Sequence, residues 1–265
     1  MGGRQVLDNE QLPNMLSPED SDPLDFLRSQ IDDLCLKIVT KFNLYDSTGR
    51  PRNAFVLNAL TKYSCIGCLV NTFTQPYKWV DVDAIYKENH RLAVNLLTEQ
   101  LQYRLGKEGF NSVVQDEVEG DYGRVDVLIR QISCGVLLTY NGAQFIVEVK
   151  TGKGLSYDQI FRYLIDWPNA TLIVWRVIMR QIITLDQKAV SPFLLTYLET
   201  ILQRGTRLLN GDKITPCNHN YTNEKPYVIR DPQGLINEFL LVLTETLPNI
   251  IDTIVQQLKD INSDG

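Results

Sequence analysis

The sequence predicts an α/β fold: a mixed central sheet flanked by helices, with helical extensions at both ends of the chain. Three observations carry this. Helical and strand-like segments alternate from Glu88 to Met179. Thr171 to Met179 (TLIVWRVIM) is a continuous apolar, β-branched run, as expected of a strand buried on both faces. The strand ending at Lys150 is followed by a helical segment and then this run, which implies a parallel pair joined by a right-handed crossover.

Taken in order, residues 1–22 are polar and rich in proline and acids, and read as a flexible arm. Asp22-Pro23 opens a helix to about Lys41, with Leu24, Leu27, Ile31, Leu34 and Ile38 at three- and four-residue spacing. A second helix is expected from Asn53 to about Cys68, and Phe73 to Val82 as a connection or edge strand. Residues 23–83 thus form a helical N-terminal extension. Glu88 to Leu105 is the strongest helix, its apolar face spread over Leu92, Ala93, Leu96, Leu97, Leu101 and Leu105. Asn111 to Glu117 reads as a strand, and the acids Glu117 and Glu119 as water-facing residues about the turn that follows.

Arg124 to Arg130 is an apolar strand that carries Asp126. Asn141-Gly142 can take the positive φ of a tight turn, so Val136 to Tyr140 and Gln144 to Lys150 are expected to form a hairpin. After a small Gly152/Gly154 loop, Ser156 and Gln159 are spaced as a capping box at the start of a helix that Pro168 stops. These elements place the core at residues 84–182. Ser191-Pro192 starts a helix that Gly205 ends, and Pro232 to Leu258 forms one or two helices broken near Pro248. Residues 183–265 are the helical C-terminal extension packed on the core.

Side chains alternate along a strand with period two, so Glu148 and Lys150 point one way and Val147 and Val149 the other. A carboxylate at the end of an apolar strand is costly unless a cation meets it. Asp126, Glu148 and Lys150 converging on one sheet face suggest a hard-cation site with an ammonium beside it. Mg²⁺ suits few carboxylates, several waters and phosphate oxygens. Gln159 and Tyr163 lie one helical turn apart and project toward the same groove.

In this order, Gly-Arg-x-Asp on a strand, Glu148-Val149-Lys150 and Gln-x-x-x-Tyr on a helix resemble the signature of the PD-(D/E)XK nuclease superfamily, in its RecB-like and lambda-exonuclease-like branch. The resemblance covers about Glu88 to Met179, and Val125 stands where the superfamily's proline would be. It implies a restriction-endonuclease-like core and hydrolysis of phosphodiester bonds in nucleic acid, DNA rather than RNA. It also implies Mg²⁺ or Mn²⁺ on Asp126, Glu148 and the Val149 carbonyl, with Lys150 positioning the attacking water and Gln159 and Tyr163 supporting it. Similar proteins place an acid on the helix before the first core strand, which points to Glu99, with Glu88 and His90 as the other candidates. His90 lies on the side of the helix opposite the Glu88/Asn95/Glu99 stripe and reads as a packed or surface histidine.

Composition bounds this picture. A net charge of −6 argues against a broad nucleic-acid surface, and leaves open a nuclease-like fold kept as an inactive binding or assembly module. Five cysteines form no disulfide framework, and Cys65-Ile-Gly-Cys68 with Cys217 and His219 is a poor zinc pattern. Neither a membrane-length apolar run nor a signal pattern stands out, so the expectation is an intracellular protein, cytoplasmic or nuclear, with a homodimer or a protein partner as options.

Overall fold

The computed structural model describes residues 23–74, 84–133, 136–137, 143–152, 154, 156–185, 187–211 and 231–263. In chain order they form α1 (Pro23–Phe42), α2 (Asn53–Lys62), α3 (Ile66–Thr74), α4 (Ala84–Lys107), β1 (Ser112–Glu119), β2 (Arg124–Ser133), β3 (Val136–Leu137), β4 (Ala143–Lys150), α5 (Tyr157–Asp166), β5 (Thr171–Arg176), β6 (Gln181–Leu185), α6 (Gln187–Leu209) and α7 (Pro232–Ser263). The expected flexible arm, the Asn141-Gly142 turn, Cys217 and His219 lie outside the described residues.

The sheet is mixed, ordered β1-β2-β4-β5-β6, with β3 added beside β2. Only β4 and β5 run parallel, joined through α5, as the apolar run at Thr171 and the intervening helix predict. Trp175, Ile173, Leu172 and Val174 alternate into two cores, so β5 is buried on both faces. The hairpin is paired differently from expectation. β3 returns on the end of β2 through Ser133 and Val136, and β4 takes its antiparallel partner from β2 as well. β4 therefore sits between β2 and β5 and is buried on both faces, with Phe145, Val147 and Val149 on one side and Ile146 on the other.

Three cores organise the helices. On one face, Ala93, Val94, Leu97, Leu101 and Leu105 of α4 meet Phe145, Val147 and Val149 of β4 and the stripe of α7 from Phe239 to Leu258. On the other face, Ile160, Tyr163 and Trp167 cover Val125, Leu128 and Ile146. Outside α5, the helices α1, α2, α3 and α6 share a third core, into which Leu164 and Ile165 of α5 also reach. The two ends of the chain therefore interleave: α6 packs with the N-terminal helices, while α7 packs on the sheet.

Several expected boundaries move. The single helix over Asn53 to Cys68 is two, α2 and α3, parted at residues 63–65, and Phe73 belongs to α3. Gly205 does not end α6; a Cβ there would come within 2.5 Å of Leu34, so the glycine lets α6 approach α1. Pro248 does not break α7, whose buried stripe continues through Ile250, Ile251 and Ile254. Tertiary packing outweighs the local proline penalty of about 3 kcal/mol. Among the described residues, no helix is long and apolar enough to cross a membrane.

Candidate active site

The C-terminal end of β4 opens into a cleft of about 1030 Å³, and the carboxyl end of a parallel strand is where α/β sheets commonly bind ligands. Asp126, Glu148, Val149, Lys150 and Gln159 all line it. The cleft also carries Arg52, Lys87, Arg124 and Arg162, which with Lys150 outnumber the acids Asp46, Asp126 and Glu148. The protein is acidic overall, and its cleft is not.

Glu148 is 1% exposed, and both its oxygens are engaged. Oε1 forms an ion pair with Lys150 Nζ. Oε2 accepts a 2.7 Å bond from the Tyr163 hydroxyl, which lies 2.9 Å from the Arg124 carbonyl oxygen. Lys150 also donates to Gln159 Oε1 at 2.7 Å, and Gln159 Nε2 donates to the Tyr163 hydroxyl. Glu148, Lys150, Gln159 and Tyr163 thus close a ring of side-chain contacts. Burial raises the Glu148 carboxyl above the ordinary carboxylate range, and the neighbouring Asp126 adds to the shift; Lys150 and Tyr163 oppose it. Burial likewise raises the Tyr163 phenol, which stays a donor.

Asp126 reaches the cleft through an irregularity in its strand. Val125 and Leu128 both point to the α5 side, and Val127 and Ile129 to the α4 side, so alternation slips at Asp126. The β1–β2 ladder skips the Glu117/Asp126 pair, and Glu117 takes a positive φ of 47°. One Asp126 oxygen accepts the Val149 N–H at 2.7 Å, and the other lies 3.1 Å from His90 Nε2. That hydrogen bond raises the His90 imidazole's pKa against the pull of burial.

The structure therefore brings together Asp126, Glu148, Val149, Lys150, Gln159 and Tyr163. It does not bring Glu99, which is exposed on α4 and stands nine residues, about 13 Å of helix, beyond His90. Glu88 is exposed too and pairs with Arg91. The α4 residue at the cluster is His90, from the side opposite the acidic stripe. Sequence held a signal for it: His90 precedes Ala93, Val94 and Leu97 in the phase of the buried face. Ser156 stands at the N-cap of α5 with extended backbone but makes no side-chain cap bond, and the Gln159 side chain, the other half of a capping box, is turned to Lys150 and Tyr163. The expected capping box does not form. Glu117 and Glu119 are exposed and pair with Arg124 and Arg50.

A divalent cation suits this donor set in one respect: two carboxylates share the cleft, and Asp126 adds to the cost of charging Glu148. Mg²⁺ needs one or two carboxylates and fills its remaining positions with water or phosphate oxygens. Among the described residues, no group of three His, Cys, Asp or Glu side chains could hold a metal ion. Comparison with known proteins finds no family model, no curated protein and no solved structure that matches the chain.

Proposed function

We propose that the protein is a metal-dependent nuclease that hydrolyses phosphodiester bonds of nucleic acid, DNA rather than RNA. One observation carries the reading: Glu148 lies buried beside Asp126, Lys150 and Tyr163 in a cleft whose other charges are mainly cationic. Asp126, Glu148 and the Val149 carbonyl would hold Mg²⁺ or Mn²⁺. Such an ion supplies Lewis-acid stabilisation of charge on the phosphoryl oxygens.

The chain's own residues do the rest. Lys150 Nζ spends two donors on Glu148 and Gln159, which fixes the ammonium and leaves a third N–H for the attacking water or a phosphate oxygen. Water attacks phosphorus in line as the bond to the 3′ oxygen breaks. Gln159 and Tyr163 are positioning residues, since each acts on the lysine or the carboxylate. Arg124, Arg162 and Lys87 set positive charge along the cleft for the backbone.

One observation favours a second reading, a nuclease-like fold kept as a binding or assembly module. Every oxygen of Asp126 and Glu148 already has a partner within the protein. Linear, circular and single-stranded DNA incubated with Mg²⁺ or Mn²⁺ separate the two. The nuclease cuts at least one, and Lys150→Ala lowers the rate about 10²–10³-fold, the scale of losing one charge-stabilising donor. In calorimetry Lys150→Ala still binds Mn²⁺, while Asp126→Ala does not. A Lys150→Ala protein as fast as wild type removes the lysine from the mechanism. No cutting, together with no Mn²⁺ binding by wild type, leaves the module.

A further inference from the structure

The α2 end of the cleft differs in chemistry from the β4 end. Arg52, Phe55 and Asn58 line the same cleft as Glu148 and Lys150. The Arg52 guanidinium sits over the Phe55 ring, 4.6 Å from its centroid. The ring also makes an edge-on contact with Phe73, at 5.7 Å and 72°. The loop leading to Arg52 is fixed: Asp46 Oδ1 accepts from the Thr48 and Arg50 backbones at 2.8 and 2.9 Å, and the Arg52 N–H is given to the Leu44 carbonyl at 3.0 Å.

Among the described residues Arg52 has no carboxylate partner, whereas Lys150, Arg124 and Arg162 pair with Glu148, Glu117 and Asp158. An arginine held over an aromatic ring, without an acid to neutralise it, can offer the face of its guanidinium for stacking as well as its charge. Nucleobases stack on such planes, but only when their faces are free; a base inside a duplex has both faces covered. Asn58 follows Phe55 by three residues and is exposed, so its amide can meet the edge of a base held there.

We propose that Arg52, held over Phe55, holds an unpaired nucleobase beside the scissile phosphate, and so selects single strands or frayed ends as substrate. This rests on the nuclease reading for the position of the phosphate. It gives the N-terminal helices a part in substrate choice.

Fluorescence anisotropy with a labelled single-stranded oligonucleotide and the matching blunt duplex tests it, with Mn²⁺ present. Lys150→Ala serves as the parent so that the substrate survives. The single strand should bind more tightly than the duplex. Adding Arg52→Lys or Arg52→Ala should weaken single-strand binding about tenfold, the loss of one stacked base, and leave the duplex within about twofold. Full single-strand affinity in Arg52→Lys would reduce Arg52 to a point charge and overturn the proposal, as would an equal loss on both substrates in Arg52→Ala. Thermal melts of both variants at the parent's midpoint exclude a folding defect. Failure of the nuclease reading shows separately, as no cleavage of either substrate by wild type.

Discussion

Glu148 and Asp166 are both buried carboxyls, 1% and 7% exposed, and for both the first cause of a raised pKa is burial. Their surroundings differ. Asp166, the last residue of α5, accepts the Asp121 N–H at 3.1 Å and the Tyr122 N–H at 3.0 Å. It ties the β1–β2 turn to the helix and lines neither that cleft nor the smaller cavity of about 570 Å³ beside the turn. Glu148 meets a lysine, a phenol and a second carboxylate's field, all at an open cleft. A perturbed carboxyl is therefore no mark of a site by itself. Fixed backbone donors make a clamp, while exchangeable side-chain partners at the wall of a cleft make a place where a ligand can intervene.

Glu148→Gln should separate the two roles most sharply. On the proposed reading it removes a metal-holding charge, and cleavage should fall about 10³-fold. The same change relieves the cost of burying a charge, and the amide can still bond Tyr163. The urea midpoint at pH 8 should therefore stay at the wild-type value or rise. A variant that cuts normally, or that unfolds far more easily, would put Glu148 in the same class as Asp166.

Gly120 probes the clamp. A Cβ there would stand 2.3 Å from Asp166 Oδ2 and 2.8 Å from the Trp167 ring. Asp166 cannot swing away without releasing two backbone N–H groups. Gly120→Ala should cost about 1–3 kcal/mol, the usual penalty of overpacking, read as a lower urea midpoint. Cleavage by the protein that remains folded should be unchanged. Loss of cleavage at wild-type stability would show that the turn serves the site directly.

The same contrast explains what the sequence disclosed. Glu148, Lys150, Gln159 and Tyr163 were legible because strand alternation and the helical i, i+4 spacing are local rules; Asp126 stood out as an acid on an apolar strand, and all five line or border one cleft. Arg52 was not legible, since it comes from the loop before α2, distant in sequence; His90 was in view as a residue in phase with the buried face of α4, but its meeting with Asp126 was not, because that occurs where alternation slips. Glu99 attracted notice as an acid on the margin of a helix, but the buried stripe of α4 turns it to water. The continuity of α6 and α7 past Gly205 and Pro248 was equally hidden, since each depends on a partner surface. Asp166 gave no sign of its role, because backbone N–H donors leave no pattern in a sequence.

The smallest effect is the pH dependence that Asp166 lends to stability. Burial lifts its folded pKa from 3.8 to about 7, so between those values the folded state holds a proton that the unfolded chain has released. Its contribution is fully present below pH 3.8 and is lost as pH rises through about 7. Thermal melts between pH 4 and 7 should therefore show a component that falls with rising pH. Asp166→Asn should remove that component, because the amide does not titrate, while costing about 1–2 kcal/mol at pH 7 through one mismatched backbone N–H. Cleavage should be unaffected at temperatures where the variant is folded, since the Asp166 carboxyl is bonded to the Asp121 and Tyr122 backbone and not to the carboxylate–lysine ring. An unchanged pH slope in Asp166→Asn would mean that the carboxylate is already charged when buried, with the two N–H donors outweighing the cost of burial.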